Sequence, residues 1–217
     1  MDVVMDPDRL QPPRPGEFTF EITGGALCLD FANTIDNRPR DVPREFLHSF
    51  ADLVAWSRQA GALTANQAAH HFRVGAQRPA AARATLRRVL ELREALFRIF
   101  SAAAAAGRPA LPADLVLFNA AAAHAFRNLR IGRRRRGFAW EWEDDPAALD
   151  RMLWPVLRSA AELLTSGDLD RVRECSADTC GWLFVDRSKN RSRRWCNMKV
   201  CGNRAKVREF YRRQRAS

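Results

Sequence analysis

The sequence lacks the features that mark several common classes of protein. No apolar run reaches the ~18 residues of a membrane-spanning helix, and residues 1–17 are acidic and proline-rich, without the apolar core of a secretion signal. No glycine-rich loop has the spacing that cradles a phosphate, and no candidate nucleophile has a base at a recognisable spacing. These absences predict a cytoplasmic protein with no membrane partner, and they argue against an enzyme.

Lysine is nearly absent, although the chain is strongly basic. Only three of its 36 basic residues are lysines, so the abundance of arginine reflects composition and says little about function. The distribution of charge says more. Residues 171–217 hold 14 basic and 4 acidic side chains, a net charge of +10, whereas residues 1–170 carry only +1 of the total of +11. A tail with this charge is typical of a segment that binds a polyanion.

Cysteine is also rare outside that tail. Cys28 stands alone, whereas the other four follow the pattern Cys-x4-Cys-x15-Cys-x4-Cys, and all four histidines lie elsewhere. In a reducing compartment two such pairs favour a metal over disulfides. A zinc site closed by four thiolates is structural, because no coordination position stays open. The pattern predicts one structural Zn²⁺ bound by Cys175, Cys180, Cys196 and Cys201; buried free thiols or a redox group are the alternative.

Apolar spacing and capping residues predict a mainly helical region before the cysteine segment. The helices are predicted over residues 26–35, 46–60, 65–76, from 79 to the alanines before Gly107, 112–127 and 149–164. Pro155 must either kink the last of them or start a second helix, and the sequence leaves both open. Alternation predicts a short strand near residues 18–22 and a small β-hairpin between about 129 and 142 with four arginines at its tip. Residues 36–45 are predicted to be a loop.

The polar stretch 165–170 marks a boundary between two units. We therefore predict a disordered tail over residues 1–16, an α-rich domain over 17–166 and a zinc-binding module over 167–217. Within the module, residues 182–185 are typical of a strand, and a helix is predicted from Cys201 to about residue 213. A knuckle, a strand pair and a helix that carries the second ligand pair describe a treble-clef-like module, so the fold class is α+β.

Three motifs of the module occur together: Trp182-Leu183-Phe184-Val185-Asp186, Ser192-Arg193-Arg194-Trp195-Cys196 and Cys201-Gly202-Asn203-Arg204. They resemble the CGNR zinc-finger family, which is named for the last four of these residues. The usual N-terminal partner of that finger is the ABATE domain, described as a stress-induced transcription regulator. Its start resembles Leu29-Asp30-Phe31-Ala32-Asn33-Thr34, and its end resembles Trp154-Pro155-Val156 with Ser159-Ala160-Ala161-Glu162-Leu163-Leu164. The resemblance covers about residues 17–213 and implies a bacterial transcription regulator.

Clustered basic residues of the module predict a nucleic-acid interface. The loop between the cysteine pairs can grip phosphates, and the following helix presents a basic stripe that can reach guanine edges in a major groove. The predicted DNA-binding residues are Arg187, Lys189, Arg191, Arg193, Arg194, Arg204, Arg208 and Arg212. The opposite side of that helix, with Val200, Val207 and Phe210, is expected to pack on the zinc core. The alternatives are a solvated basic face and, for Arg204, support of the zinc loop.

Asp30, Asn33 and Thr34 cluster after two glycines, near the predicted end of the first helix. The functional interpretation is a pocket for a small-molecule effector that alters DNA binding, and the alternative is helix capping with local turn bonds. The sequence thus predicts a DNA-binding transcription regulator under effector control. A zinc-stabilised protein-interaction or RNA-binding module is the main alternative, and an enzymatic N-terminal domain is a third. The sequence leaves the oligomeric state open.

Overall fold

A computed structural model describes residues 19–105, 109–143 and 145–216 of the protein. The tail predicted for residues 1–16 lies outside the described residues. Within them, the α-helices are Leu27–Ala32 (α1), Phe50–Gln59 (α2), Ala65–Gln77 (α3), Pro79–Ala104 (α4), Pro112–Phe126 (α5), Trp154–Leu164 (α6) and Asn203–Ala216 (α7). Antiparallel pairs are formed by the strands Ile35–Asp36 (β1) with Arg44–Glu45 (β2), Leu129–Arg133 (β3) with Phe138–Trp142 (β4), and Val172–Glu174 (β5) with Leu183–Val185 (β6). No helix in these ranges is both long enough and apolar enough to cross a membrane.

Local signals fix the starts of the central helices. Ser49 caps α2 through a capping box with Asp52, and Thr64 caps α3 through one with Gln67. Each box satisfies backbone N–H groups that the first turn of a helix leaves unpaired. Pro79 lies in the first turn of α4, where its missing N–H costs nothing, and α4 then runs for 26 residues. Because α4 contacts α1, α2, α3 and α5, it is central, as predicted.

α1 and α2 are shorter than predicted. α1 ends at Ala32 rather than at residue 35, because Ile35 pairs with Glu45 in the β1–β2 ribbon. α2 begins at Phe50 rather than at residue 46, because the Ser49 capping box sets its start. The predicted loop over residues 36–45 was therefore wrong at both of its ends, which are strand.

The strand predicted near residues 18–22 is absent from its described part, residues 19–22. Phe20 is buried there, but its backbone pairs with a side chain instead of a strand. Its N–H donates to Gln59 Oε1 at 2.8 Å, and Gln59 Nε2 donates to its carbonyl. The Gln59 side-chain amide thus makes the two hydrogen bonds that a neighbouring strand would otherwise make with Phe20.

The predicted hairpin is confirmed as β3–β4, in the register that sets Leu129 opposite Trp142. Trp142 packs on Trp154 of α6 with ring centroids 5.8 Å apart. Pro155 lies in the first turn of α6, after a 3-10 turn. Of the two options that the sequence left open, the proline starts a helix, since a first turn needs no N–H at that position.

The ribbon β5–β6 is built into the core of the helical region. Val172, Leu183 and Val185 are buried in the same apolar cluster as side chains of α1 and α4. Trp182 and Phe184 instead join the four cysteines in a second, smaller cluster. Because α7 follows the second cysteine pair, ribbon, knuckle and helix have the predicted treble-clef-like order, and the chain is α+β and mainly helical.

Candidate functional site

The four clustered cysteines have the geometry of a tetrahedral metal site. Their sulfur atoms all lie within 4.8 Å of one another, and all four side chains are buried. Cys196 Sγ lies 3.6 Å from Cys180 Sγ and 3.7 Å from Cys201 Sγ. Thiolates bound tetrahedrally at ~2.3 Å from zinc stand about 3.8 Å apart, whereas a disulfide needs about 2.05 Å. The four residues therefore form a site for one structural zinc ion, as predicted.

The first ligand pair sits on a tight knuckle between β5 and β6. The Cys175 N–H donates to the Trp182 carbonyl at 2.8 Å, and the Cys180 N–H donates to the Ala177 carbonyl at 3.0 Å. Gly181 follows with a φ of 72°, a left-handed conformation that favours glycine. The β5–β6 ribbon thus fixes both ends of the knuckle and aims its two thiols at the same point.

Cys201 of the second ligand pair lies in a turn of π-helix, Met198–Gly202, that leads into α7, and Cys196 lies just before this turn. The Asn197 side chain accepts the Lys199 N–H at 2.9 Å and caps this turn. A side chain on Gly202 would run into Met198 and come within 3.6 Å of Trp195. The glycine of the Cys-Gly-Asn-Arg motif thus lets the Met198 side chain, which is 53% exposed, lie close beside the metal ligands.

The electrostatics of the cluster also suit a divalent metal. Hydrogen bonds from the thiols of Cys180 and Cys196 lower the pKa of Cys175. Its sulfur in turn raises the pKa of both neighbours, and burial raises the pKa of Cys201. Four thiolates at this separation repel one another. A zinc ion supplies the compensating charge and binds its cysteines as thiolates.

Two family models match the chain. The first, ABATE, carries the description "Putative stress-induced transcription regulator" and matches residues 25–167. The chain belongs to the ABATE family. The second model, the CGNR zinc finger, matches residues 171–214, a range that includes all four cysteines. Both matches confirm the family inferred from the motifs, and the descriptions suggest a regulator rather than an enzyme. No curated protein matches the chain.

The loop between the cysteine pairs of the CGNR zinc finger is anchored at its base and exposed at its tip. The buried Asp186 carboxylate accepts the Ser188 N–H at 2.8 Å and the Arg193 N–H at 3.0 Å. At the tip, Lys189 and Arg191 are exposed. Within the described chain no ion pair or side-chain hydrogen bond engages either of them. Both remain available to an external anion.

The other cations of this loop are at least partly engaged within the protein. Arg193 donates to the carbonyls of Trp195 at 3.0 Å and Thr23 at 3.2 Å, and its guanidinium lies 4.3 Å from the centre of the Phe184 ring. These contacts support the second ligand pair and fasten it to the N-terminal region. The remaining two are Arg187, which donates to the Gly25 carbonyl at 3.1 Å, and Arg194, which lies over the Trp195 ring.

The arginines of α7 also differ in whether they are engaged in salt bridges within the protein. Arg208 pairs with Asp178 of the knuckle at 2.7 Å, and Arg212 pairs with Glu209 one turn before it. Arg204 is exposed and has no salt bridge within the described residues. The stripe predicted on this helix is thus partly neutralised, and Arg204 is its least engaged member.

The prediction for the opposite side of α7 was partly wrong. Val200 packs against the zinc cluster. Val207 and Phe210, however, are 54% and 59% exposed. Periodicity correctly indicates that the two share a side of the helix, but α7 runs past the small zinc core, which covers only its start.

Asp30, Asn33 and Thr34 are brought together and buried at the end of α1. Asn33 accepts the Leu183 N–H at 2.8 Å and donates to the Leu183 carbonyl at 2.9 Å, so it joins α1 to the CGNR zinc finger. Asp30 accepts the Gly24 N–H at 2.7 Å, and burial raises its pKa to about 6 despite this bond. The Thr34 hydroxyl donates to the Phe31 carbonyl of α1 at 2.8 Å. The bonds of Asp30 and Thr34 are the local ones named as the alternative, whereas the Asn33 pair joins residues 150 apart. All three residues also line one cavity beside the finger.

Sequence analysis missed an ion network that holds the β1–β2 ribbon on α4. The buried Arg93 forms a bidentate pair with Glu45, with two N···O distances of 2.6 Å. Arg38 pairs with Glu94 at 2.6 Å. Removing one partner of such a pair leaves an uncompensated charge. Because the partners lie 48 and 56 residues apart, no local spacing could have signalled them.

Proposed function

We propose that the protein is a transcription regulator that grips DNA through the loop between the cysteine pairs of its CGNR zinc finger. The supporting observation is the pair Lys189 and Arg191, exposed and free of partners within the described chain, on a loop whose base is fixed by Asp186. Phosphate contacts supply most of the affinity of such proteins for DNA. A loop that is already ordered loses less entropy on binding than a flexible one.

The surface beside this loop offers a way to distinguish one DNA sequence from another. A groove of about 540 Å³ runs between the knuckle and the start of α7, with Arg194, Arg204 and Arg208 among its lining residues. Arg208 would exchange its bond to Asp178 for a guanine edge, which costs part of the gain and favours sites with a matching base. In this proposal the loop provides affinity and α7 provides sequence preference, in a cytoplasmic protein under the control of a small effector.

The experiment is a salt titration of DNA binding on the zinc-loaded full chain with a random-sequence duplex. We expect Lys189→Ala combined with Arg191→Ala to weaken binding and to lower the salt slope by about 0.9 for each DNA phosphate that the variant no longer neutralises. Arg83→Ala combined with Arg87→Ala is the matched control, because it removes the same charge from exposed positions of α4.

Equal binding by the two double variants across the titration would overturn the proposed grip. The basic loop would then be a solvated face, and a protein-interaction module would become the leading interpretation. Competition between duplex DNA and a structured RNA of equal length separates the two nucleic acids, since salt dependence is common to both. We expect the protein to bind the duplex DNA more tightly than the RNA.

A further inference from the structure

A small cavity lies where α1 and the β1–β2 ribbon meet the CGNR zinc finger. Its volume is about 250 Å³, below the ~300–1,000 Å³ of sites for drug-sized ligands. Its wall comes from both parts of the chain and includes Asp30, Asp36, Arg44, Phe46, Trp182 and Arg204. A ligand of metabolite size would therefore touch the ABATE domain and the finger at once.

The charges around this cavity are of both signs and are not paired with one another. Asp36 and Arg44 are directly opposite in the β1–β2 ribbon, but no salt bridge joins them in the part of the chain that the structure describes. Arg204, Asp30 and Glu21, the other charged residues of the wall, also form no salt bridge within the described residues, although Glu21 accepts a hydrogen bond from the Asn197 side chain. Opposite charges that border a common space without meeting can be bridged by a molecule that carries both complementary charges.

The other lining groups limit what this molecule can be. The Trp182 indole N–H already donates to the Ile35 carbonyl at 2.9 Å, and both ends of the Asn33 amide are occupied by Leu183. Few neutral hydrogen-bonding groups are thus left to select a sugar or a base. Trp182 and Phe46 also line the cavity and add apolar surface, and the Phe46 ring already carries the Arg44 guanidinium 5.3 Å from its centre.

We propose that this cavity binds a small zwitterion of the amino-acid class, with its carboxylate toward Arg44 and Arg204 and its ammonium group toward Asp30 and Asp36. Arg204 also lines the groove between the knuckle and α7. A bound carboxylate holds Arg204 in the cavity and away from that groove, so the zwitterion and DNA compete for one side chain. The competition with DNA rests on the proposed DNA-binding function, whereas the binding site for the zwitterion does not.

The site is tested without DNA, by thermal unfolding and calorimetry on the zinc-loaded full chain. The probes are the standard amino acids, one at a time, each with its amide, its deaminated acid, and inorganic phosphate as an anion without an amine. We expect at least one amino acid to raise the midpoint of unfolding, and neither its amide nor its deaminated acid to match it. No shift with any amino acid would overturn the site, as would an equal shift with phosphate.

Variants then locate the binding. Arg44→Gln and Asp36→Asn each remove one charge from the ribbon, and we expect each to weaken the amino acid at least about tenfold, the effect of losing a charge-assisted bond. Arg40→Gln is the control, since Arg40 is exposed nearby and lines a different cleft. Wild-type affinity in both ribbon variants would overturn the assignment of the cavity even if an amino acid binds.

The competition is tested last, with the amino acid so identified and the random-sequence duplex. We expect it to weaken DNA binding by the parent protein and to have little effect on the Arg44→Gln variant. If the amino acid binds but leaves DNA affinity unchanged, the shared role of Arg204 is overturned while the site stands. If the protein binds no DNA at all, the proposed function fails, and the calorimetric result is unaffected.

Discussion

The ABATE domain and the CGNR zinc finger are held together by different means. The first has a large apolar core built from most of its helices, with Phe31, Trp56 and Phe100 fully buried. The second clusters a few aromatic side chains around four cysteines. Modules this small bury too little apolar surface to fold unaided and usually need a metal or disulfides. The β6 strand nevertheless belongs to both cores, so two means of stabilisation act on one ribbon.

Removing the metal is the strongest way to separate the two regions. Structural zinc contributes on the order of 10–16 kcal/mol in small modules, so Cys196→Ser should lose the ion and unfold the finger while α2 to α6 stay helical. Metal analysis with circular dichroism checks this. Cys28→Ser is the matched control, because Cys28 is buried outside the cluster and should leave one zinc per chain. A Cys196→Ser variant with full zinc would contradict the site.

Truncation after residue 166 tests whether the first region folds without the second. The cut removes Val172, Leu183 and Val185 from the shared core, at roughly 1.5–3 kcal/mol for each buried aliphatic side chain. We expect the fragment to lose several kcal/mol in its free energy of unfolding and to tend to aggregate, as denaturant titration and light scattering would report. A soluble fragment as stable as the full chain would support the division into 17–166 and 167–217, which stays a prediction.

Asn33→Ala breaks the link between α1 and β6 without touching the metal. It leaves the Leu183 N–H and carbonyl buried and unpaired, at about 1–3 kcal/mol for each group. We expect a loss of roughly 2–4 kcal/mol in urea unfolding with zinc retained. Asn119→Ala, on an exposed position of α5, should change stability little. Equal stability of the two variants would show that the link matters less than the shared apolar packing.

Replacing Asp30 should change the free energy of unfolding by a smaller amount, which depends on pH. Burial raises its folded-state pKa from 3.8 to about 6, so its contribution to stability is fully present below pH 3.8 and is lost as the pH rises through about 6. The free energy of unfolding of the wild type minus that of Asp30→Asn should therefore fall by on the order of 2–3 kcal/mol across this window. A difference that stays constant would mean that Asp30 keeps its ordinary pKa.

Sequence patterns located the features that depend on neighbouring residues. The helix over 65–76, the helix start at residue 79 and the four zinc ligands each follow from signals over a few residues. The contacts that join the two regions span long separations, and nothing local signals them: Asn33 lies 150 residues from Leu183. Helical periodicity also shows which side chains share a face, but not what covers that face, which is why Phe210 was misplaced.

The alternation along β6 imposes a strict requirement on length in this part of the chain. Leu183 and Val185 enter the helical core, whereas Trp182 and Phe184 enter the metal cluster. Inserting or deleting one residue between Cys180 and Val185 would exchange the two sets of side chains, because neighbours on a strand face opposite ways. The exposed tip around Lys189 has no such constraint. Insertions and fusion tags should be tolerated at that tip and rejected within the strand that precedes it, even where every cysteine is kept.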